Sequence, residues 1–234
     1  MKITKDAKLL VISPHPDDEA LGVGGLIGKC KKVKASTTIF YVSVGTSRQY
    51  ITEKTELSGR IEEIETVKKF AKAKVIVGYT GDEFCRLDTL PQKDLIEKIE
   101  DVIQKEKPTL VAIPSSSSYN QDHRAVFDAC ITALRPLPKT VRHFVPTIIE
   151  YFEPYFWSLR EMKTPNAFLD LQEKYQKGNL LDFKINIYKC HKTQVRDDPF
   201  PRSPENLIRL AHIYGKEIGV DVAEAYHVLR EELC

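Results

Sequence analysis

Four apolar residues, Leu9-Leu10-Val11-Ile12, stop at Ser13-Pro14-His15-Pro16-Asp17-Asp18-Glu19. An apolar run that halts at a proline and then shows a histidine and three acids reads as a buried strand delivering a polar loop. Loops at the ends of buried strands are where α/β proteins place their chemistry. The rest of residues 1–135 fits such a fold. Residues 8–12, 37–44, 75–77 and 109–113 read as strands, and residues 19–34, 53–72, 90–106 and 122–134 as helices. Within 53–72, Leu57, Ile61, Ile64, Val67 and Phe70 recur at helical spacing. Strand and helix alternating in this way imply right-handed crossovers and an α/β, Rossmann-like, mainly parallel sheet flanked by helices. The strand ends at Ile12 and Ile113 then share the carboxyl edge, where His15 and His123 can converge.

Beyond Pro136 the pattern changes. Prolines at 136, 138, 146, 154 and 165 cut the chain into short pieces. Residues 148–152 and 168–171 read as edge strands, and 182–193, 204–218 and 222–233 as helices. No repeat or low-complexity linker separates this mixed half from the first, so residues 1–234 are expected to form one domain. Ser115–Ser118 reads as the turn leading to His123.

Composition narrows the function. The chain is 42% hydrophobic and 29% charged, which suits a soluble globular protein. A formal net charge of +2 is too near neutral for a nucleic-acid partner, which calls for a clustered basic face. The densest basic run, Lys29, Lys31, Lys32 and Lys34, is expected to decorate the exposed end of the first helix. The cysteines, Cys30, Cys85, Cys130, Cys190 and Cys234, are odd in number and widely spaced, which argues against a disulfide framework or a cysteine zinc site. No signal-peptide pattern precedes the first strand and no stretch approaches a membrane span, so a cytoplasmic location is expected.

His15 and Asp18 offer an imidazole and a carboxylate three residues apart, a natural spacing for two ligands of one Zn²⁺; His123 offers a third. Three protein ligands leave a fourth position for water. The set also suits Fe²⁺ or Mn²⁺. Asp17, between the first two, is the candidate base. Asp122 is placed to accept the second N–H of His123 or to orient a nearby group. The blander alternative makes Asp17, Asp18 and Glu19 first-turn acids favoured by the helix dipole; for Glu19 that role is at least as good as a catalytic one. The whole cluster after a buried strand favours chemistry. Gly22-Val23-Gly24-Gly25-Leu26-Ile27-Gly28 is not a dinucleotide fingerprint, because its last spacing is too long and the preceding acids would repel a pyrophosphate. These glycines are read as allowing close approach of helix, strand and metal loop.

The segment from Ser13 to Gly25 resembles the signature of the PIG-L/LmbE-like N-acetylglucosaminyl deacetylase family, an HPDDE loop followed by a glycine-rich helix start. Asp122-His123-Arg124-Ala125-Val126 is similar to the family's second motif. Weaker similarity runs through Arg60, Glu63, Arg86-Leu87-Asp88, 165–170, 189–194 and Ala223-Glu224-Ala225. The resemblance implies a metal-dependent hydrolase that removes acetyl from an N-acetylated amino sugar, with ligands at His15, Asp18 and His123 and the acid/base at Asp17. Many members carry a second histidine where this chain has Asn120, which leaves Tyr119 as the nearest candidate oxyanion donor. A Ser-Gln pair of the family is matched by Thr193-Gln194. His191 is expected to be a satisfied structural histidine.

The expected partner is a small N-acetylated sugar or sugar conjugate. Arg48, Arg60 and Arg124 are candidates for holding phosphates of such a conjugate. Tyr151, Phe152, Tyr155, Phe156 and Trp157 are read as core, as a subunit interface of a homo-oligomer, or as stacking faces for a sugar. Two rivals stand beside the sugar deacetylase: an amidase acting on another small acylated amine, and a non-catalytic carbohydrate-binding protein on the same scaffold. An intact Asp17 argues against the second, since a binding module has no need of a base.

Overall fold

The computed structural model describes residues 2–49, 53–81, 86–155, 161 and 163–232. Cys85, Cys234, Phe156 and Trp157 lie outside the described residues, as does the side chain of Arg48. The first half runs β1 (Lys8–Ser13), α1 (Asp18–Val33), β2 (Ser36–Val44), a short hairpin of β3 (Ser47–Gln49) and β4 (Glu53–Thr55), α2 (Leu57–Ala71), β5 (Lys74–Thr80), α3 (Gln92–Glu106), β6 (Leu110–Ile113) and α4 (Gln121–Ala133). The second half adds β7 (Thr147–Tyr151), β8 (Ala167–Asp170), the two-residue strands β9 (Lys174–Tyr175) and β10 (Gly178–Asn179), α5 (Leu180–Tyr188), α6 (Pro204–Glu217) and β11 (Ala223–Glu231).

Seven strands form one sheet in the order β5-β2-β1-β6-β7-β11-β8. The first five are parallel, and β11 runs antiparallel to both of its neighbours. Successive residues of β1 serve two cores. Leu9 and Val11 pack with α1, α2 and α5, while Leu10 and Ile12 pack with α3 and α4. That division explains the unbroken apolar run, because a strand covered on both faces has no polar face to alternate with.

The structure corrects several sequence expectations. Residues 222–233, read as a helix, hold β11. Val222, Ala225 and Leu229 mimic helical spacing, but residues 223–226, paired with β8, are all buried, so period-two alternation is missing there too. The 148–152 segment is no edge, since β7 lies between β6 and β11; β8 is the edge. The helix expected over 53–72 starts at Leu57, after β4. The basic run at the end of α1 is not merely a solvated face. Lys29 and Lys32 pair with Glu173 at 2.5 and 2.7 Å, and Lys31 lies over the rings of Phe70, Tyr175 and Phe183. Cys30, Cys130 and Cys190 are free thiols.

Helix α1 carries the loop that follows β1, and its glycines are packing residues. A Cβ on Gly22 would stand 2.1 Å from the Tyr151 ring, and one on Gly28 would stand 2.6 Å from Phe183. The helix is broken at Val23 (φ −133°). The buried amides beyond the break, those of Gly25 and Leu26, donate to Glu224 at 2.9 Å each. The carbonyl of Leu21 before the break accepts from Lys184 at 2.6 Å, and Lys184 also pairs with Glu224 at 2.5 Å. Both side chains are almost fully enclosed. Breaking such a buried pair leaves an uncompensated charge and costs about 3–5 kcal/mol. Lys184→Met is therefore expected to lower unfolding stability by about that amount, read as a fall in denaturant midpoint with unchanged slope.

Candidate active site

Crossovers from β1 run toward β2 and β5, and those from β6 run toward β7. Neighbouring strands whose connections diverge open a crevice at their carboxyl ends. The loops after β1 and β6 line it, and they bring together the two sequence motifs.

Asn120 starts α4 as its N-cap, its side chain accepting the Asp122 amide at 2.9 Å. That places Asp122 and His123 in the first turn, buried. Asp122 Oδ2 lies 2.8 Å from His15 Nε2, and its Oδ1 accepts the Leu87 amide at 2.9 Å. Asp122 therefore orients His15, not His123. The partner facing His123 Nδ1 is Glu153, 3.1 Å away at ion-pair distance without hydrogen-bond alignment. Ser118 donates to the other Glu153 oxygen at 2.5 Å.

With these nitrogens assigned, His15 Nδ1 and His123 Nε2 both face Asp18. Asp18 Oδ2 is 3.6 Å from the first and 3.3 Å from the second, and it also accepts the His15 amide at 2.8 Å. Ligand atoms from all three residues lie within 4.8 Å of one another, and all three side chains are buried. Two ligands held ~2.0–2.1 Å from a tetrahedral ion stand roughly 3.3 Å apart. The donor set and its spacing therefore fit a divalent metal. Electrostatics agree. Burial pushes the Asp18 carboxyl up, but the charges of His123 and His15 and their hydrogen bonds outweigh it and carry the pKa down to about 2. For His123, burial pulls down while Asp18 and Glu153 raise the pKa to about 9.

Asp17 has φ 117°, a left-handed backbone that non-glycine residues rarely adopt. Its amide donates to Glu19 Oε2 at 3.1 Å, and its carbonyl accepts from Ala20 and Leu21. Its carboxylate meets Arg202 Nη1 at 3.1 Å. Burial raises the Asp17 pKa, Asp18 raises it further, and Arg202, Arg60 and His191 pull it back; the net position is above the ordinary carboxylate value. Glu19, fully enclosed, pairs with His191 Nε2 at 2.6 Å. It is a structural acid holding the amide of Asp17, and His191 is its partner.

Other expectations are redirected. Arg60 is buried, bonded to Glu63 at 3.0 Å and to the Pro16 carbonyl, so it braces the loop and is not free to hold a phosphate. Arg124 donates to the carbonyls of Ser118 and Tyr119 and secures the serine turn. Thr193 is held by Glu63 through its amide at 2.6 Å and its hydroxyl at 3.1 Å, and Gln194 donates to that hydroxyl. Tyr119 is 44% exposed and packs edge-on against Tyr155, 5.2 Å between centroids. Tyr151 is core: its ring fits over Gly22 and its hydroxyl donates to the Ile12 carbonyl at 3.0 Å. Glu153 and Arg202 carried no sequence signal beyond being charged residues in irregular, proline-rich segments.

A doubly wound sheet with buried histidine and carboxylate donors at its switch point defines an α/β protein with a candidate metal site. Comparison with known proteins gives its family. Residues 10–134, more than half of the chain, match the PIG-L family model described as GlcNAc-PI de-N-acetylase, and the chain belongs to that family. It is 24% identical over 225 residues to diacetylchitobiose deacetylase of Thermococcus kodakarensis, covering 93% of this chain and 81% of that protein. The fold is shared with the conserved protein TT1542 of Thermus thermophilus (TM-score 0.73, 21% identity, 97% and 96% of the two chains covered). It is also shared with GalB, the 4-carboxy-2-hydroxymuconate hydratase of Pseudomonas putida (TM-score 0.71, 20% identity, 97% and 98% covered). The second likeness shows that this fold alone does not settle the reaction. Among the described residues, no helix is long and apolar enough to cross a membrane.

Carboxylates behind ligating histidines fix ring orientation and basicity, and losing one typically weakens metal binding about 10–100-fold. Glu153→Gln is expected to show a weakening of that size in chelator competition, with an unchanged circular dichroism spectrum.

Proposed function

We propose that the chain is a metal-dependent N-deacetylase that removes the acetyl group from an N-acetylated amino sugar or its conjugate. One observation carries this reading: three buried metal-type ligands converge beside a buried carboxylate, that of Asp17, which is not itself in the ligand set. A pure binding module has no use for that carboxylate. Membership of a de-N-acetylase family and the likeness to a diacetylchitobiose deacetylase support the same reaction class.

In this reading His15 binds through Nδ1, His123 through Nε2 and Asp18 through its carboxylate. Zinc is the ion this mixed set favours, with Fe²⁺ and Mn²⁺ as the competitors. A bound ion would supply Lewis acidity toward the acyl carbonyl and the attacking water. The protein's own groups do the proton work. Asp17, held in low dielectric with a raised pKa, takes the proton of the attacking water and delivers it to the departing amine nitrogen. An amide leaves poorly as an anion, so this delivery is what lets the tetrahedral intermediate collapse. Asp122 holds the His15 ring and acts as a positioning residue, without touching substrate. Tyr119 stands at the edge of the crevice; burial raises its pKa, so it stays a neutral phenol able to donate to the developing oxyanion.

The deciding experiment compares acetate release from N-acetylglucosamine derivatives with release from simple aliphatic N-acetyl amides. Faster release from the sugars is expected, because directional hydrogen bonds to hydroxyls reject analogues lacking them. Equal rates would favour a broader amidase. Asp17→Asn should retain metal while kcat falls by at least about two decades. His123→Ala should lose the metal while remaining folded.

Metal uptake also has a definite pH dependence. With its pKa at about 9, the metal-free His123 is protonated at pH 7 and must lose that proton to ligate. Apparent affinity should rise about tenfold per pH unit from pH 6 toward 9 and then level off. Calorimetry at pH 7 in buffers of different ionisation enthalpy should show proton release on binding.

A further inference from the structure

The Asp17 carboxylate is held from one side only. Among the described residues, Arg202 is the one side chain that donates to it, Nη1 to Oδ2 at 3.1 Å. The two residues are far apart in sequence, and Arg202 belongs to none of the motif segments. Its side chain is 19% exposed against 6% for Asp17, so the pair sits at the wall of the crevice with the guanidinium on its outer side.

Arg202 itself is anchored at both flanks. The preceding carbonyl, that of Pro201, accepts from the Asn206 side chain at 2.8 Å. The following residue, Ser203, is the N-cap of α6, and its hydroxyl accepts the Asn206 amide at 3.1 Å. Further back, Asp198 is held by Arg209 of α6. A long side chain on so fixed a base makes a defined reach to Oδ2. The backbone of Asp17 is separately locked by Glu19, Ala20 and Leu21. What the backbone leaves free is rotation of the carboxylate about its own bonds, and Arg202 removes that freedom.

We propose that Arg202 is a positioning residue for the acid/base carboxylate: its guanidinium fixes Asp17 Oδ2 and leaves Oδ1 as the oxygen that exchanges the proton. The inference rests on the acid/base role assigned to Asp17 above. A misdirected carboxylate affects the chemical step and leaves substrate affinity alone, since small misplacement of a reacting group costs up to about 10²-fold in rate.

The test uses the full chain loaded with zinc, as Arg202→Gln and Arg202→Lys. The expected result for Arg202→Gln is one metal per chain, KM within about threefold of wild type and kcat lower by about 10²-fold. Arg202→Lys keeps the charge and most of the stem, so it should recover part of that loss; it carries the same test if the glutamine variant does not fold. A raised KM with unchanged kcat would mean that the guanidinium binds substrate and would overturn the proposal. So would loss of metal, or kinetics indistinguishable from wild type. Crystal structures of the two variants give a readout that needs no substrate. The Asp17 carboxylate should turn away from its present direction in Arg202→Gln and return toward it in Arg202→Lys; an unmoved carboxylate overturns the inference. If the wild-type protein releases acetate from no N-acetylated sugar, the deacetylase reading falls, and the carboxylate orientations still decide the role of Arg202.

Discussion

Five acids crowd the carboxyl ends of β1, β6 and β7, and charge taken out of water has to be paired. Asp17 meets Arg202, Asp18 lies between His15 and His123, Glu19 meets His191, Asp122 meets His15, and Glu153 faces His123. Each partner reaches in from a different part of the chain. An unpaired carboxylate at such depth would cost several kcal/mol or give up its charge. The pairs therefore do two things at once. They tie the first loop to α4, to the chain just after α5 and to the segment before α6, and they tie α4 to the chain after β7. They also set the direction of every nitrogen and oxygen that faces the crevice.

The order of strands decides why this happens where it does. Because β1 and β6 are adjacent while their connections leave in opposite directions, neither crossover helix covers the gap between them. Backbone polar groups of the two loops then need partners, and the loops find them in side chains. Pro16 offers its carbonyl to Arg60, and the serine turn gives Oγ and amide groups to Glu150 at 2.8–3.0 Å. A crevice whose walls are satisfied in this way keeps its shape without a substrate.

How much of this was legible in the sequence follows from how each contact is encoded. His15, Asp17 and Asp18 fall within four residues after an apolar strand, so a local reading singles them out. His123 needs one further step, that parallel strands share an edge. Arg202 and Glu153 need the tertiary structure, because a pair separated by 185 or 30 residues leaves no period or spacing to read. The same limit misdirected Arg60 and Arg124. An arginine near a motif suggests an anion in the crevice, yet Arg60 bonds the Pro16 carbonyl and Glu63, and Arg124 bonds the carbonyls of Ser118 and Tyr119. It also misread β11, since a strand buried on both faces and carrying Glu224 for the α1 break has no alternation to display.

The strained residue at the centre follows from the same demands. Adjacent residues in a helix point about 100° apart, so a ligand and a base next to each other in sequence would face different ways if both were helical. The chain avoids this by beginning α1 at Asp18 and holding Asp17 just outside it at φ 117°. Such a conformation costs of the order of 1–3 kcal/mol and survives only where the surroundings over-determine it. Here the amide of Asp17 is taken by Glu19, its carbonyl by the first turn of α1, and its carboxylate by Arg202. Glu19 is thus the third acid of the motif for a backbone reason: it secures the turn that lets Asp17 and Asp18 share one crevice, and its other carboxylate oxygen pairs with the buried His191.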